Sequence, residues 1–392
     1  MDINCNIKES DSLTIQAAIE RACELKENKI VIPRINARTG EALWEIGETI
    51  FLPSDFTLIL DNCHLRMADG VYCNMFCNKN AYTKECEEQK NIVIAGIGNV
   101  ILDGGTPNGL TEKTSSSNGL PGIINNTMIF FRNVSGFSVE NIHIKEQRWW
   151  GMTFMYCEQG RISNIGFSAT NIVPNQDGID LRVGCHDIII ENITGKTGDD
   201  TIALTAVTGR LYQDFKTENK NDDIYNVIIR NVSASVTGGH HIVRLLNHDG
   251  IKLYNILIDG IMDRSENVKA KAALKIGDSR YSKIRRAILH ETHNITARNI
   301  TSKAKAAVLL GGTVSDSYFS NIQQYGGYAI QSVSCEVENL CFDGVIVNDG
   351  GGLYSFEKTI GDRVVIKNII KHTDVSLDVC VESIRPESNC LV

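Results

Sequence analysis

One short pattern, apolar-x-apolar-x-Asn-apolar, recurs through most of this 392-residue chain and limits what the chain can fold into. It reads Phe137-Ser138-Val139-Glu140-Asn141-Ile142, Arg161-Ile162-Ser163-Asn164-Ile165, Ile188-Ile189-Ile190-Glu191-Asn192-Ile193 and Val227-Ile228-Ile229-Arg230-Asn231-Val232. It continues as Ala297-Arg298-Asn299-Ile300, Tyr318-Phe319-Ser320-Asn321-Ile322 and Ile366-Lys367-Asn368-Ile369. The tightest spacings between these asparagines are 23 residues, Asn141 to Asn164, and 22, Asn299 to Asn321. A period of that size marks one supersecondary unit stacked on itself. Strands of four to six residues with no helix between them make the unit a coil of a parallel β-solenoid. Such coils stack about 4.8 Å apart. The asparagine belongs at a bend, where its side chain can bond turn backbone and its tolerance of left-handed φ is useful. A β-sandwich with coincidental Asn-Ile pairs would not hold one register over so many recurrences. Longer intervals, such as Gly209 to Asp223 and Arg264 to Ala270, are read as loops inserted at a corner.

A solenoid has an end of bare core and unpaired strand edge, and a helix is a standard cover for it. After Asp11 as a cap, apolar residues recur at Ile15, Ala18, Ile19, Ala22 and Cys23, the spacing of one buried helical stripe. The expectation is therefore an all-β parallel β-helix forming a single domain over residues 1–392. Residues 1–28 are its N-terminal amphipathic cap, 29–372 its coils and 373–392 a closing segment.

No apolar run approaches the roughly 20 residues of a membrane helix. Net charge is −8 without a dense Lys/Arg run, which argues against nucleic acid and anionic membranes as partners, though a local basic patch could still hold an anionic oligosaccharide. The start of the chain has neither the basic nor the apolar stretch of a secretory signal, and most of the 12 cysteines are scattered singly like buried hydrophobes in a reducing compartment, so a cytoplasmic location is expected. Cys63, Cys73, Cys77 and Cys86, with His64 nearby, lack paired Cys-x-x-Cys hooks. They are read as free thiols, with no metal and no cofactor expected.

Two segments can be laid on each other residue by residue: Asn175-Gln176-Asp177-Gly178-Ile179-Asp180-Leu181 and Gly198-Asp199-Asp200-Thr201-Ile202-Ala203-Leu204. Alternation turns Ile179 with Leu181, and Ile202 with Leu204, into the solenoid. That register sets Asp177 beside Asp200 and Gln176 beside Asp199. In the next coil, Val243 and Leu245 as the inward pair bring His241 to Asp200 and His240 to Asp199; a coil later Lys275 lies on the outer face. Tandem Asp stacked on Asp costs repulsion that a turn does not require, whereas Asp103-Gly104, Asp259-Gly260 and Asp343-Gly344 are read as plain turns. Carboxylates at this range suit glycoside hydrolysis, in which one must carry a proton while another activates water. Of Trp149 and Trp150, adjacent strand residues facing opposite ways, at least one is read as core and the other as a possible sugar platform.

The order Asn175-Gln176-Asp177-Gly178, Gly198-Asp199-Asp200, Gly238-Gly239-His240 resembles glycoside hydrolase family 28, the polygalacturonases and their relatives, which are single-stranded right-handed parallel β-helices. The stretches Ser12 to Ile19 with Ile30-Val31-Ile32-Pro33, and Val93-Ile94-Ala95-Gly96 to Ile101-Leu102-Asp103-Gly104, are similar to N-terminal coils of that superfamily. The resemblance implies inverting hydrolysis of a pectin-type oligosaccharide, with Asp199 as general acid and Asp177 with Asp200 activating water. The family histidine falls on His240 by motif letters and on His241 by register. The family's Arg-Ile-Lys is absent; the stretch here reads Leu274-Lys275-Ile276-Gly277, and Gln176 replaces a small hydroxyl residue. Substrate contacts are therefore assigned to Lys275, Gln176 and the replacement cations Arg182, Arg244 and Arg280, with a rhamnogalacturonan, another uronide or a neutral glycan as further candidates. Two other readings are a β-helix lyase or transferase, with the aspartates holding Ca²⁺, and a non-catalytic glycan-binding solenoid.

Overall fold

Each asparagine of the repeat is a left-handed corner. φ is 59° at Asn141, 56° at Asn164, 57° at Asn192, 55° at Asn231, 60° at Asn299, 52° at Asn321 and 53° at Asn368. These angles come from a computed structural model that describes residues 3, 7–115, 119–170, 173–266, 270–278, 280–348, 350–371 and, for backbone only, 379–384. A left-handed residue turns the chain without breaking the ladder: Glu140 pairs with Ser163, Asn141 is skipped, and Ile142 resumes with Ile165. Strands on this face are therefore longer than the expected four to six residues, running unbroken over Val134–Lys145 and Ile224–Val236, each bent into two arms.

The corner side chains form a hydrogen-bonded ladder along the solenoid axis. Nδ2 of Asn164 donates to Oδ1 of Asn141 at 2.8 Å, Asn192 to Asn164 at 2.9 Å and Asn231 to Asn192 at 3.1 Å. Where a coil has Gly260 or Gly344 at the corner, the preceding aspartate takes the place of the missing amide. Asp259 Oδ1 accepts from Asn299 and Asp343 Oδ1 from Asn368, both at 2.7 Å. Of the three Asp-Gly steps read as plain turns, Asp259-Gly260 and Asp343-Gly344 are thus rungs of the ladder, while Asp103 bonds His64 and Lys145.

The bent strands build a 16-stranded sheet, and shorter strands on the remaining face build one of 11 strands, each coil lying parallel to the next. The architecture is a right-handed parallel β-helix, with its apolar core running inside the coils. On the shorter-stranded face Ile179 pairs with Ile202, Ile202 with Val243 and Val243 with Leu274, and all four side chains are fully buried.

Helix Asp11–Glu24 packs on strands Lys29–Ile32, Trp44–Ile46 and Ile50–Leu52 at the N-terminal end. Its cap is Ser10, not Asp11: Ser10 Oγ accepts from the Leu13 amide, while Asp11 in the first turn pairs with Arg38 at 2.6 Å and takes the Glu45 amide at 2.7 Å. Cys23 falls on the exposed side of the stripe. Two short elements were not legible as helix, Arg210–Phe215 and the 3-10 turn Ile123–Asn126. Parallel strands continue to Ile360–Lys371, on which Val379–Ile384 pairs antiparallel; the rest of the expected closing segment lies outside the described residues. Among the described residues no helix is long and apolar enough to cross a membrane. Cys63, Cys73, Cys77 and Cys86 are free thiols, pushed upward by burial, and His64 bonds Asp103 instead of joining them.

Candidate active site

Strands Met152–Met155, Ile179–Arg182, Ile202–Ala206, His241–Asn247 and Ala272–Ile276 lie side by side, and the last four floor a cleft of about 940 Å³. Their outward residues follow one row: Thr153, Asp180, Ala203, Arg244, Lys275. Just before the strands the chain is still turning, and Asp177, Asp199 and His240 enter the same cleft from there. The expected register holds. The Gly178 amide donates to Asp200 O at 2.9 Å, and that of Thr201 to His241 O at 3.1 Å.

Asp200 is fully buried, and both of its carboxylate oxygens are engaged. Oδ1 accepts from the His241 amide at 2.9 Å and lies 2.7 Å from its Nδ1; Oδ2 accepts from Arg244 Nη1 at 2.9 Å. Desolvation works against its charge, yet Arg244 and His241 hold the carboxyl well below the usual range. Burial in turn pushes the His241 imidazole down, which favours the neutral ring with Nδ1–H directed at Asp200. The calcium reading does not fit this donor set. Asp199, Asp200 and His240 can each bring a ligand atom within 4.8 Å of the others, but Asp200 already carries a guanidinium where a hard cation would need oxygen.

Asp177 and the Asp180 carboxyl beside it stand in the opposite state. Both are buried, at 5% and 1% exposure, and Asp180 Oδ2 has no hydrogen-bond partner among the described residues. Desolvation first raises both carboxyls well above the usual range. The neighbouring aspartates raise them further, while Arg244 pulls both down and Arg182 pulls down Asp180. Like charges this close do not both ionise readily, so the two titrate as a pair. Asp180 lies on the outer face between the inward Ile179 and Leu181, and its burial comes from the walls that cover that face.

Asp199 opens to the cleft and pairs through Oδ1 with His240 Nδ1 at 2.6 Å, while the Asp200 amide donates to the same oxygen. The pairing with Asp199 raises His240 above its ordinary value, against the desolvation that lowers it. Both histidines therefore serve the cluster, each on its own aspartate.

Of the expected substrate contacts, Lys275, Arg244 and Arg182 line the cleft. Lys275 is held by Asp278 at 2.5 Å, and burial lowers its ammonium. Arg182 lies over the Trp150 ring at 4.7 Å and makes no ion pair among the described residues. Arg244 sits against Tyr281, its guanidinium carbon 5.3 Å from the ring centroid. Gln176 is not a substrate contact: it is fully buried under Gly198, with Nε2 donating to Gln147 O at 2.9 Å. A Cβ at position 198 would meet Gln176 Oε1 at 2.3 Å, so glycine there makes room for the amide. Arg280 is exposed and lies off the cleft. Trp149 and Trp150 are both buried and stacked on each other at 3.8 Å, because the chain bends before strand Met152–Met155 and strand alternation does not apply to them. Asp180, Asp278, Tyr281 and Glu112 joined the site without being singled out. Only Asp180 carried a local signal, its place in the duplicated Gly-Ile-Asp-Leu segment.

The chain is a parallel β-helix with a carboxylate-floored cleft on its short-stranded face. The family model described as glycosyl hydrolases family 28 matches residues 46–242, half of the chain, and the chain belongs to this family. The matched stretch contains Asp177, Asp199, Asp200 and both histidines. Among solved structures, a hyperthermoactive exopolygalacturonase from Thermotoga maritima is similar over 97% of this chain and 95% of its own, with 15% identity and a TM-score of 0.63. A polygalacturonase from Erwinia carotovora ssp. carotovora covers 91% and 95%, with 14% identity and a TM-score of 0.58. PfbA, a surface adhesin of Streptococcus pneumoniae, covers 95% and 91%, with 15% identity and a TM-score of 0.63. At such identities these likenesses establish the fold. No curated protein matches the chain in sequence.

Proposed function

We propose that the protein is an inverting glycoside hydrolase acting on a pectin-type oligosaccharide. The observation that carries this reading is the stack of Asp177, Asp199-Asp200 and His240-His241 on three successive coils at the floor of the cleft. Asp199 is the general acid. His240, 2.6 Å from Asp199 and raised above the ordinary imidazole value by that pairing, supplies the proton that Asp199 passes to the bridging oxygen. Asp177 is the general base toward water; burial raises its carboxyl and the Asp180 carboxylate beside it raises it further. Asp200, with both oxygens engaged, does not receive water's proton; it fixes Arg244 and His241 and contributes its charge. Proton delivery to the bridging oxygen and attack of water on the opposite face of the sugar break the bond with inversion. Arg182 is the cation free to meet an acidic group on the sugar beside Asp177, while Lys275 and Asp278 together face the leaving sugar.

The test is hydrolysis of defined pectic oligosaccharides, with the first-formed product anomer read by NMR. Asp199→Asn is expected to lower kcat by about 10²- to 10⁴-fold, the usual contribution of a general acid, with an unchanged circular-dichroism spectrum. Full activity in that variant, or a product of retained configuration, would overturn the assignment. An unsaturated, ultraviolet-absorbing product would instead identify a lyase.

A further inference from the structure

The cleft is asymmetric along the solenoid axis. On its N-terminal side two inserted segments rise beside the floor, residues 104–115 with 119–128 on one flank and 207–223 on the other. They meet at Tyr82. Its ring stands edge-on to Phe215 at 5.8 Å and its hydroxyl is 3.3 Å from Asn125 Oδ1, so Phe215, Tyr82 and Asn125 form a wall across that end. Arg132 secures the second flank, donating to Lys216 O at 2.9 Å with its guanidinium over Phe215. Beyond strand Ala272–Ile276 one longer connection follows, whose Asp278 and Tyr281 line the cleft; after it the connections beside the short-stranded face shrink to residues 303–305, 311–313, 325–326 and 334–335, too short to raise a wall across that end. The groove is blind toward the N-terminal coils and open toward the C-terminal ones.

The hydrolase reading above, on which this inference rests, orients a substrate in that groove. The base works on the anomeric carbon of the sugar whose bond breaks, and the acid on the bridging oxygen. Asp177 lies one coil nearer the blind end than Asp199, so the sugar contributing the anomeric carbon points into the blind end and the leaving chain runs out over Lys275. From the coil of strand Ile179–Arg182 to that of Ile129–Arg132 there are two coil steps, about 10 Å at the usual spacing. That length holds one or two sugars. We infer that the enzyme is exo-acting, entering its substrate by the non-reducing end and releasing one short saccharide, a mono- or disaccharide, at each turnover.

The experiment uses the full chain with oligogalacturonide hexamers and rhamnogalacturonan-derived oligosaccharides of similar length, fluorescently labelled at the reducing end and sampled within the first few per cent of conversion. The expected result is a labelled chain shortened by one or two sugars together with an unlabelled mono- or disaccharide, and nothing else. Labelled fragments from mid-chain cleavage, or release of a labelled monosaccharide, would overturn the exo inference and leave the hydrolase intact. Absence of hydrolysis on every glycan would remove the hydrolase reading and this inference with it. The double variant Tyr82→Ala, Phe215→Ala opens the wall and is expected to admit internal cleavage, with longer unlabelled products appearing early. A folded double variant with the wild-type product pattern would refute the wall as the cause of exo action.

Discussion

Arg244→Met tests the electrostatic core of the site. In the native protein the Arg244 side chain is 16% exposed and that of Asp200 0%, at 2.9 Å. Removing one partner of such a pair strands a buried charge, which costs about 3 to 5 kcal/mol. His241 still gives Asp200 two hydrogen bonds, at 2.7 and 2.9 Å, so the lower end, about 3 kcal/mol, is expected. The acid side shifts as well. Asp200 has a folded pKa below its unfolded value, so its stabilisation is present above about pH 3.9 and is lost as pH falls through the folded value. Without Arg244 the folded pKa rises, and acid unfolding begins at higher pH. The assay is a double-mutant cycle: urea unfolding at pH 7 of wild type, Arg244→Met, Asp200→Asn and the double variant, with hydrogen exchange on strands Ile202–Ala206 and His241–Asn247 to catch local opening of coils. Asp200→Asn should rescue most of the loss in the Arg244→Met background. A cost of Arg244→Met below about 1 kcal/mol, or no rescue by Asp200→Asn, would refute the claim that Arg244 neutralises a buried charge.

Three further outcomes follow from the same geometry. Asp180→Asn removes the neighbouring charge that, after burial, raises Asp177, so the Asp177 pKa should fall and the acidic limb of the kcat/KM profile should move to lower pH; an unmoved limb would separate the two carboxyls. His240 has a raised folded pKa, so its pairing with Asp199 stabilises fully below about pH 6.5 and fades as pH rises through the folded value. His240→Gln should therefore cost more stability at pH 5.5 than at pH 8.5, and equal losses would dissolve the pair. At the corners, Asn192→Ala at φ 57° should destabilise by about 1 kcal/mol more than Asn192→Gly in urea titrations, since alanine adds left-handed strain to the lost rungs; equal costs would place the energy in the hydrogen bonds alone.

The division between what was legible and what was not follows the range of the interactions. Asn141 to Asn368 could be recognised because a left-handed corner is a local demand on one residue, and its recurrence reports coil length directly. The pairing of Asp177 with Asp200, and of each histidine with its own aspartate, was legible for a related reason: inward pairs such as Ile202 with Leu204 fix parity and hence register. Gln176 was misplaced because residues before a strand obey no parity. For the same reason Trp149 and Trp150 do not face opposite ways; both are buried, as at least one was expected to be, and both also line the cleft. Asp278 reaches Lys275 across a turn whose shape no periodicity encodes.

The sequence by itself determined the stacked coils, their register and the alignment of Asp177, Asp199, Asp200 and the two histidines, because those depend on alternation and on corner residues repeated through the chain. Only the tertiary structure decided the electrical state of that line. Burial under the walls raises Asp177 and Asp180, and Arg244 reaching across one coil lowers Asp200. Tyr82 meeting Phe215 and Asn125 closes the N-terminal end of the groove. Solvent exclusion and charge contact depend on atoms far apart in the chain, and no local pattern records them.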